Sequence, residues 1–344
     1  MKRFIFFRND RLGDFLIITG IIKGIKNKYK DSHITIVCSE KNYRLVKSYD
    51  IINRIFIYNK SDSIYKKISI FKKIIRLNYY ASFAVDGKTF SNLCNFFLKA
   101  KTKLGLVYRY KFLGIWFTKP NFLYNYFSFS KFETFTSKKD LQKIEHLPTK
   151  LLNLGNHFKL NLNPINKYYF KATSKNNLNF KRYYSSNIKG RYILIHLDEK
   201  WIDLNFKKDE FITNLINLKD KINKKIVITS FNNKFDYFKI LKNNIHKLNL
   251  KKDLLLIENS DLFFFERLIK HSFCSVSCHS GFLVQIAGAN STKIVDIINK
   301  NDFNWYSCWK PKNTKHRFVF KSTKVKSPIN KIFNHLSFIL KSYL

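Results

Sequence analysis

The chain has 344 residues, 45% hydrophobic and 17% aromatic, with only 10 Gly and 5 Pro, which is enough apolar material for two domain cores and excludes a disordered or collagen-like chain. Its formal charge of +41, from 64 Lys+Arg against 23 Asp+Glu, has two readings: the Lys, Asn, Ile, Phe and Tyr usage of an AT-rich genome, or attraction to an anionic partner. Lys is spread over the whole chain with no RNA- or DNA-binding motif beside it, so no specific nucleic acid is expected and an anionic lipid surface is the better partner.

The opening "MKRFIFF" is too short and too quickly charged for a signal peptide, and no run approaches the ~18 apolar residues of a bilayer span. A cytoplasmic protein is expected, at most peripheral to a membrane. The first half alternates β-rich runs, "RFIFF" (3–7), "HITIVCS" (33–39), "RIFIYN" (54–59), "ASFAVDG" (81–87) and "KLGLV" (103–107), with helical stretches at about 14–29, 41–49, 62–77 and 90–100. Near-continuous apolar strands separated by helices predict a parallel sheet covered on both faces.

Residues 108–145 are aromatic and basic with no clean period. They read as an irregular excursion packed over the domain, or as a loop facing an acceptor or a membrane. A helix at 146–158 closes this half. From Arg191 the alternation restarts, with strands at "RYILIHLD" (191–198), "KIVITSF" (225–231), "LLLIEN" (254–259), "FCSVSC" (273–278) and "KIVDII" (293–298), and helices at about 208–222, 233–244, 261–272 and 281–290. The chain ends in a helix with Ile329, Ile332, Phe333, Leu336, Leu340 and Tyr343 on one face. The expected organisation is an N-terminal Rossmann-like domain over 1–165, a linker over 166–190, a second Rossmann-like domain over 191–326 and the terminal helix over 327–344.

The five cysteines, Cys38, Cys94, Cys274, Cys278 and Cys308, follow no zinc or disulfide spacing. There is no P-loop, no G-x-G-x-x-G after the first strand, no H-E-x-x-H, no G-x-S-x-G and no D-x-D. Metal-independent chemistry with no bound cofactor is the expectation that remains.

Two turns carry the candidate site residues. In "RNDRLGDF", Gly13 permits a tight bend and Asp14 falls in the first helical turn beside Arg8 and Arg11. Asp is a favoured first-turn residue on structural grounds alone, yet here it also lies at the carboxyl edge of a sheet, where ligands bind in open α/β folds. In "SCHSGFLVQIAGAN", His279, Ser280 and Gly281 open an apolar helix after a strand. That is either an ordinary Ser N-cap or an anion site built on the helix start.

Taken in order, these segments resemble glycosyltransferase family 9, the ADP-heptose:lipopolysaccharide heptosyltransferases of GT-B fold. The strand, the turn ending Leu12-Gly13-Asp14 and the helix match the family's opening. "ASFAVDGKTFSNLCNFFLKA" matches its next signature at Asp86, Lys88 and Ser91, "YILIHLDEKW" the start of its second domain, and "SVSCHSGFLVQIAGAN" its nucleotide-sugar signature. The sequence departs from the family at His279, where Asp precedes Ser-Gly, and at Val284, where a His stands. The "FGPTDP" run is replaced by "IINKNDFNWYSCW".

The resemblance implies two domains facing a central cleft, with the C-terminal helix packing back toward the N-terminal domain. It implies an inverting, metal-independent transfer of a sugar, heptose from ADP-heptose, to a lipopolysaccharide core or other surface glycan. Asp14 would be the base, Lys200, His279, Ser280 and Gly281 would hold the donor, and Arg8, Arg11 and Lys88 would meet an anionic lipid-linked acceptor at the cytoplasmic face of the inner membrane. Transfer of another sugar, or a non-catalytic homologue that binds glycan or nucleotide, are the alternative readings.

Overall fold

The computed structural model describes residues 1–119, 128–160, 162, 174–188, 190–198, 200, 201, 208–230, 241–243, 245, 254–258, 260–321 and 328–344. The chain divides into two compact units, Met1–Lys171 with Ser307–Trp309, and Ala172–Tyr306 with Lys310–Leu344.

In the first unit the elements run β1 (Arg3–Arg8), α1 (Leu12–Lys28), β2 (His33–Cys38), α2 (Glu40–Lys47), β3 (Arg54–Ile57), α3 (Ile64–Ile75), β4 (Asn78–Ala84), α4 (Thr89–Phe97), β5 (Lys99–Phe112), β6 (Ile115–Lys119), β7 (Lys131–Thr136) and α5 (Leu147–Asn156). Strand order is β3-β2-β1-β4-β5-β6, with β7 also paired to β5. All pairings are parallel except β5–β6. The sheet is buried on both faces because β1 and β4 carry large apolar side chains at successive positions. Phe6 and Phe83 stack across the two strands with ring centroids 4.3 Å apart, a placement available only to adjacent strands in this register.

The second unit holds α6 (Ser174–Tyr183), β8 (Ile193–Leu197), α7 (Lys208–Ile222), β9 (Ile226–Ser230), β10 (Leu254–Glu258), α8 (Leu262–His271), β11 (Cys274–Ser277), α9 (Gly281–Ala289), β12 (Lys293–Asn299), α10 (Phe303–Ser307), β13 (His316–Lys321) and α11 (Pro328–Lys341). Its sheet is all parallel, in the order β10-β9-β8-β11-β12-β13. All five cysteines are buried free thiols.

Three expectations change, and the core that receives the terminal helix becomes specific. Residues 108–145 are not irregular throughout: β5 runs on to Phe112 and turns into β6, and β7 follows. In β5 the aromatics Tyr108, Tyr110 and Phe112 alternate with Arg109 and Lys111, but the adjacent Trp116 and Phe117 of β6 break the period. Residues 174–188 of the expected linker are helical, with Phe180 buried against Phe264 and His271. Strand β13 was not expected, its pattern being short and opening on His316 and Arg317. The apolar face of the C-terminal helix α11, Ile329, Ile332, Phe333, Leu336, Ile339 and Leu340, is buried in the core of the second unit with Leu215, Leu218 and Val319. An amphipathic helix packs on whichever apolar surface lies next to it, and periodicity does not name that surface. The helix expected at 233–244 falls largely outside the described residues.

Leu336 is fully buried in this core. Leu336→Ala is therefore expected to destabilise the second unit by about 2–5 kcal/mol, seen as a lowered urea midpoint; an unchanged midpoint would contradict this packing.

Candidate functional site

Both sheets change winding direction at their centre. In the first, the chain leaves β1 toward β2 on one side and reaches β4 on the other; in the second, β8 and β11 are the corresponding pair. The crevice beyond the carboxyl ends of such a strand pair is where open α/β sheets hold ligands. Every candidate residue from the sequence falls at one of these two positions.

At the first, Arg8 ends β1 and is only 1% exposed. Its Nε donates to the Asp14 carbonyl at 3.0 Å and its Nη1 donates to the Val85 carbonyl. Its guanidinium lies 3.3 Å from Asp10 Oδ2 and 3.5 Å from Asp14 Oδ1. Arg8, expected from sequence to meet an acceptor, joins β1, β4 and the turn while facing the Asp14 carboxylate. Lys88, half exposed, pairs with Asp10 Oδ1 at 2.8 Å and its Nζ also donates to the Asn9 carbonyl. Arg11 donates its backbone N–H to Asp14 Oδ2 at 3.2 Å, and its side chain is exposed.

Asp86 accepts from Asn9 N at 3.2 Å, Lys88 N at 3.1 Å and Ser91 Oγ at 2.7 Å. Gly87, at φ +63°, lies under the Tyr108 ring, where a Cβ would come within 2.2 Å of Cε2; no other residue fits that close approach.

The electrostatics follow from this crowding. Burial raises the Asp14 carboxyl above its ordinary value, and the Arg8 charge partly offsets the rise. Burial, with the Asp10 charge adding to it, raises Asp86 to about 6. A carboxylate with a raised pKa is a better proton acceptor once ionised, and Asp14 combines that property with a partly exposed side chain.

At the second position, Lys200 Nζ donates to the His279 carbonyl at 2.6 Å, which holds the ammonium at the start of α9. His279 adopts φ +57°, a left-handed conformation uncommon outside glycine. Its ring lies against Tyr306 with centroids 3.9 Å apart. Its Nδ1 donates to Asp296 Oδ2 at 2.8 Å, and the same oxygen accepts from His316 Nε2 at 2.9 Å. Ser277 Oγ donates to Asp296 Oδ1 at 3.1 Å and accepts from Ser280 N at 3.0 Å. Asp296 is fully buried, and the two imidazoles hold its carboxyl well below the usual range despite that burial. An ionised carboxylate only accepts, so the His279 proton sits on Nδ1 and Nε2 becomes the acceptor of the neutral ring. Burial lowers the His279 pKa, with Asp296 opposing.

Gly281 begins α9, so Gly281 and its neighbours belong to a helical turn whose N–H groups have no intrahelical partner. Such free N–H groups beside the Lys200 ammonium are chemically able to hold an anion. Among the described residues no group of three or more His, Cys, Asp or Glu side chains is arranged to hold a metal ion.

Sequence reasoning did not single out Asp10, Tyr108, Asp296 or His316. Asp296 left a signal, since it is an acid inside the apolar strand "KIVDII", and a buried acid demands a partner.

Two parallel sheets with polar switch points make the GT-B architecture. The sequence matches no protein-family model and no curated protein. The structure is similar to a glycosyl transferase family 9 protein from Veillonella parvula DSM 2008, with TM-score 0.68, 12% identity, and 99% of this chain and 97% of that one covered. It is also similar to E. coli heptosyltransferase WaaC with ADP, at TM-score 0.65 and 12% identity over 99% and 100% of the two chains. A UDP-GlcNAc 2-epimerase from Neisseria meningitidis, bound to UDP-GlcNAc, follows at TM-score 0.57, 10% identity and 100% and 93% coverage. These likenesses establish the fold of the chain.

Asp86 gives a pH test. Its folded value, about 6, lies above the ordinary 3.8, so between these limits the folded chain binds more protons than the unfolded one and stability falls as pH rises. Asp86→Asn is expected to flatten the denaturation midpoint between about pH 4 and 6; an unchanged slope would place the titration elsewhere.

Proposed function

We propose that the protein is an inverting, metal-independent glycosyltransferase that moves a sugar, heptose from ADP-heptose, to an anionic lipid-linked glycan of the lipopolysaccharide-core type at the cytoplasmic face of the inner membrane. The observation that carries this reading is the placement of both charged turns, "RNDRLGD" and "CHSG", at the switch points of two parallel sheets. The likeness to heptosyltransferases along nearly the whole chain supports it.

In this reaction the Asp14 carboxylate takes the proton of the acceptor hydroxyl as that oxygen attacks the anomeric carbon. The bond from the anomeric carbon to the nucleoside diphosphate breaks, and its electron pair leaves with the diphosphate. Lys200 and the first-turn N–H groups of α9 meet the developing negative charge, and His279 supplies a ring nitrogen to the ribose or phosphate. Arg11 and Lys88 meet anionic groups of the acceptor, while Arg8 keeps Asp14 in place and tunes its basicity. Among the described residues no helix is long and apolar enough to cross a membrane.

Calorimetric titration with ADP, UDP, GDP and CMP tests the donor half. ADP is expected to bind at micromolar strength, and Lys200→Ala to weaken it by about tenfold or more. Binding of a different nucleotide would reassign the donor, and failure of all four with folded protein would overturn the reading. For the base, Asp14→Asn is expected to lower transfer by about 10²–10⁴ while leaving nucleotide affinity unchanged; retained transfer would remove Asp14 from that role.

A further inference from the structure

Beyond Gly105, which pairs with Ala84 near the end of β4, strand β5 continues past the carboxyl edge of the first sheet and returns as β6. The hairpin starts beside the Asp14 turn, since Tyr108 covers Gly87 there. Its tip at Leu113 stands five residues further along, about 17 Å at the usual strand rise. Tyr110 pairs with Phe117 and Phe112 with Ile115, so these four share one face. All four are exposed, as is Trp116 on the other face, and Leu113 at the tip is 84% exposed.

The turn sharpens the point. Leu113 and Gly114 both have positive φ, +47° and +82°, the backbone of a two-residue hairpin turn that favours Asn-Gly. A leucine there is strained and presents an aliphatic side chain to solvent at the most projecting point. Neither feature serves the hairpin, a two-stranded ribbon is marginal by itself, and among the described residues none covers the tip.

The surrounding charge selects that environment. Lys111, Lys119, Lys138 and Lys139 are exposed around the ribbon. The nearby acids are already engaged: Asp140 by Lys111 N and Ser137 Oγ, and Glu145 by Arg109 and Lys150. A convex aromatic and aliphatic tip in a basic collar matches the boundary between headgroups and acyl chains of an anionic bilayer. A nucleic acid would call for a groove with stacking faces, which a projecting aliphatic tip does not provide.

We propose that the β5–β6 hairpin is a membrane-docking element that inserts Phe112, Leu113 and Ile115 into an anionic bilayer. The docking does not depend on the enzymatic reading; only its purpose does, which is to bring a lipid-linked acceptor to the Asp14 turn.

The test is co-sedimentation of the full chain with vesicles of phosphatidylethanolamine containing roughly one quarter phosphatidylglycerol, against phosphatidylcholine vesicles. It is run at low salt and at about 0.5 M, where the Debye length is only ~4 Å. The paired variant is Leu113→Asn with Ile115→Thr, which suits the turn and strand and removes the apolar tip. Wild type is expected to stay on the anionic vesicles at high salt, and the variant to be released at least about tenfold more, with unchanged circular dichroism. Equal release of the two proteins would show that charge alone binds, and would overturn the proposal. A dimer dissolved by the same substitutions, with no vesicle retention, would overturn it in favour of a second copy as occupant. Nucleotide titration of the variant separates the two proposals, because loss of docking is expected to leave ADP binding as in wild type.

Discussion

The first unit depends on one buried cation. Arg8 sits at the end of β1 with its guanidinium enclosed, bound to carbonyls of the neighbouring strand end and of helix α1, and faced by Asp10 and Asp14. A buried guanidinium without those partners would be costly, so the turn must bring its carboxylates inward. The same contacts fix where Asp14 stands. In a chain where basic residues outnumber acidic ones by 64 to 23, three acids, Asp10, Asp14 and Asp86, gather around this arginine. Burial, with the Asp10 charge adding to it, raises the pKa values of Asp14 and Asp86.

The second unit solves a related problem with the signs exchanged. There the buried charge is the carboxylate of Asp296, and the groups that enclose it are two imidazoles and a serine hydroxyl. The serine passes the constraint to the backbone at Ser280, and His279 passes it through the Lys200 contact at its own carbonyl. A carboxylate from β12 thus reaches the histidine of the turn. The turn therefore keeps a negative partner beneath it while presenting an imidazole above.

Some of the site was legible because its residues are local to one turn. Arg8, Arg11, Gly13 and Asp14 lie within seven positions, as do His279, Ser280 and Gly281 within three, and a strand-turn-helix pattern places such residues at a sheet edge without further information. Lys88 and Asp86, which follow the neighbouring strand β4, were legible through the family resemblance of their segment. Asp296 and His316 were not legible, because they enter from strands whose neighbours are set by sheet order. The enclosure of Arg8 was not legible, since whether an arginine faces solvent or is enclosed depends on what packs over it.

What the sequence determined by itself was the alternation of apolar strands and amphipathic helices, and hence two parallel sheets, because periodicity and β-branched or aromatic runs are local properties that survive without knowledge of partners. The tertiary structure alone decided which strands became neighbours, which core received the terminal helix, and which acid met which cation. Those outcomes depend on contacts between residues far apart in the chain, where many apolar surfaces are chemically equivalent and only the geometry of the assembled sheet selects one.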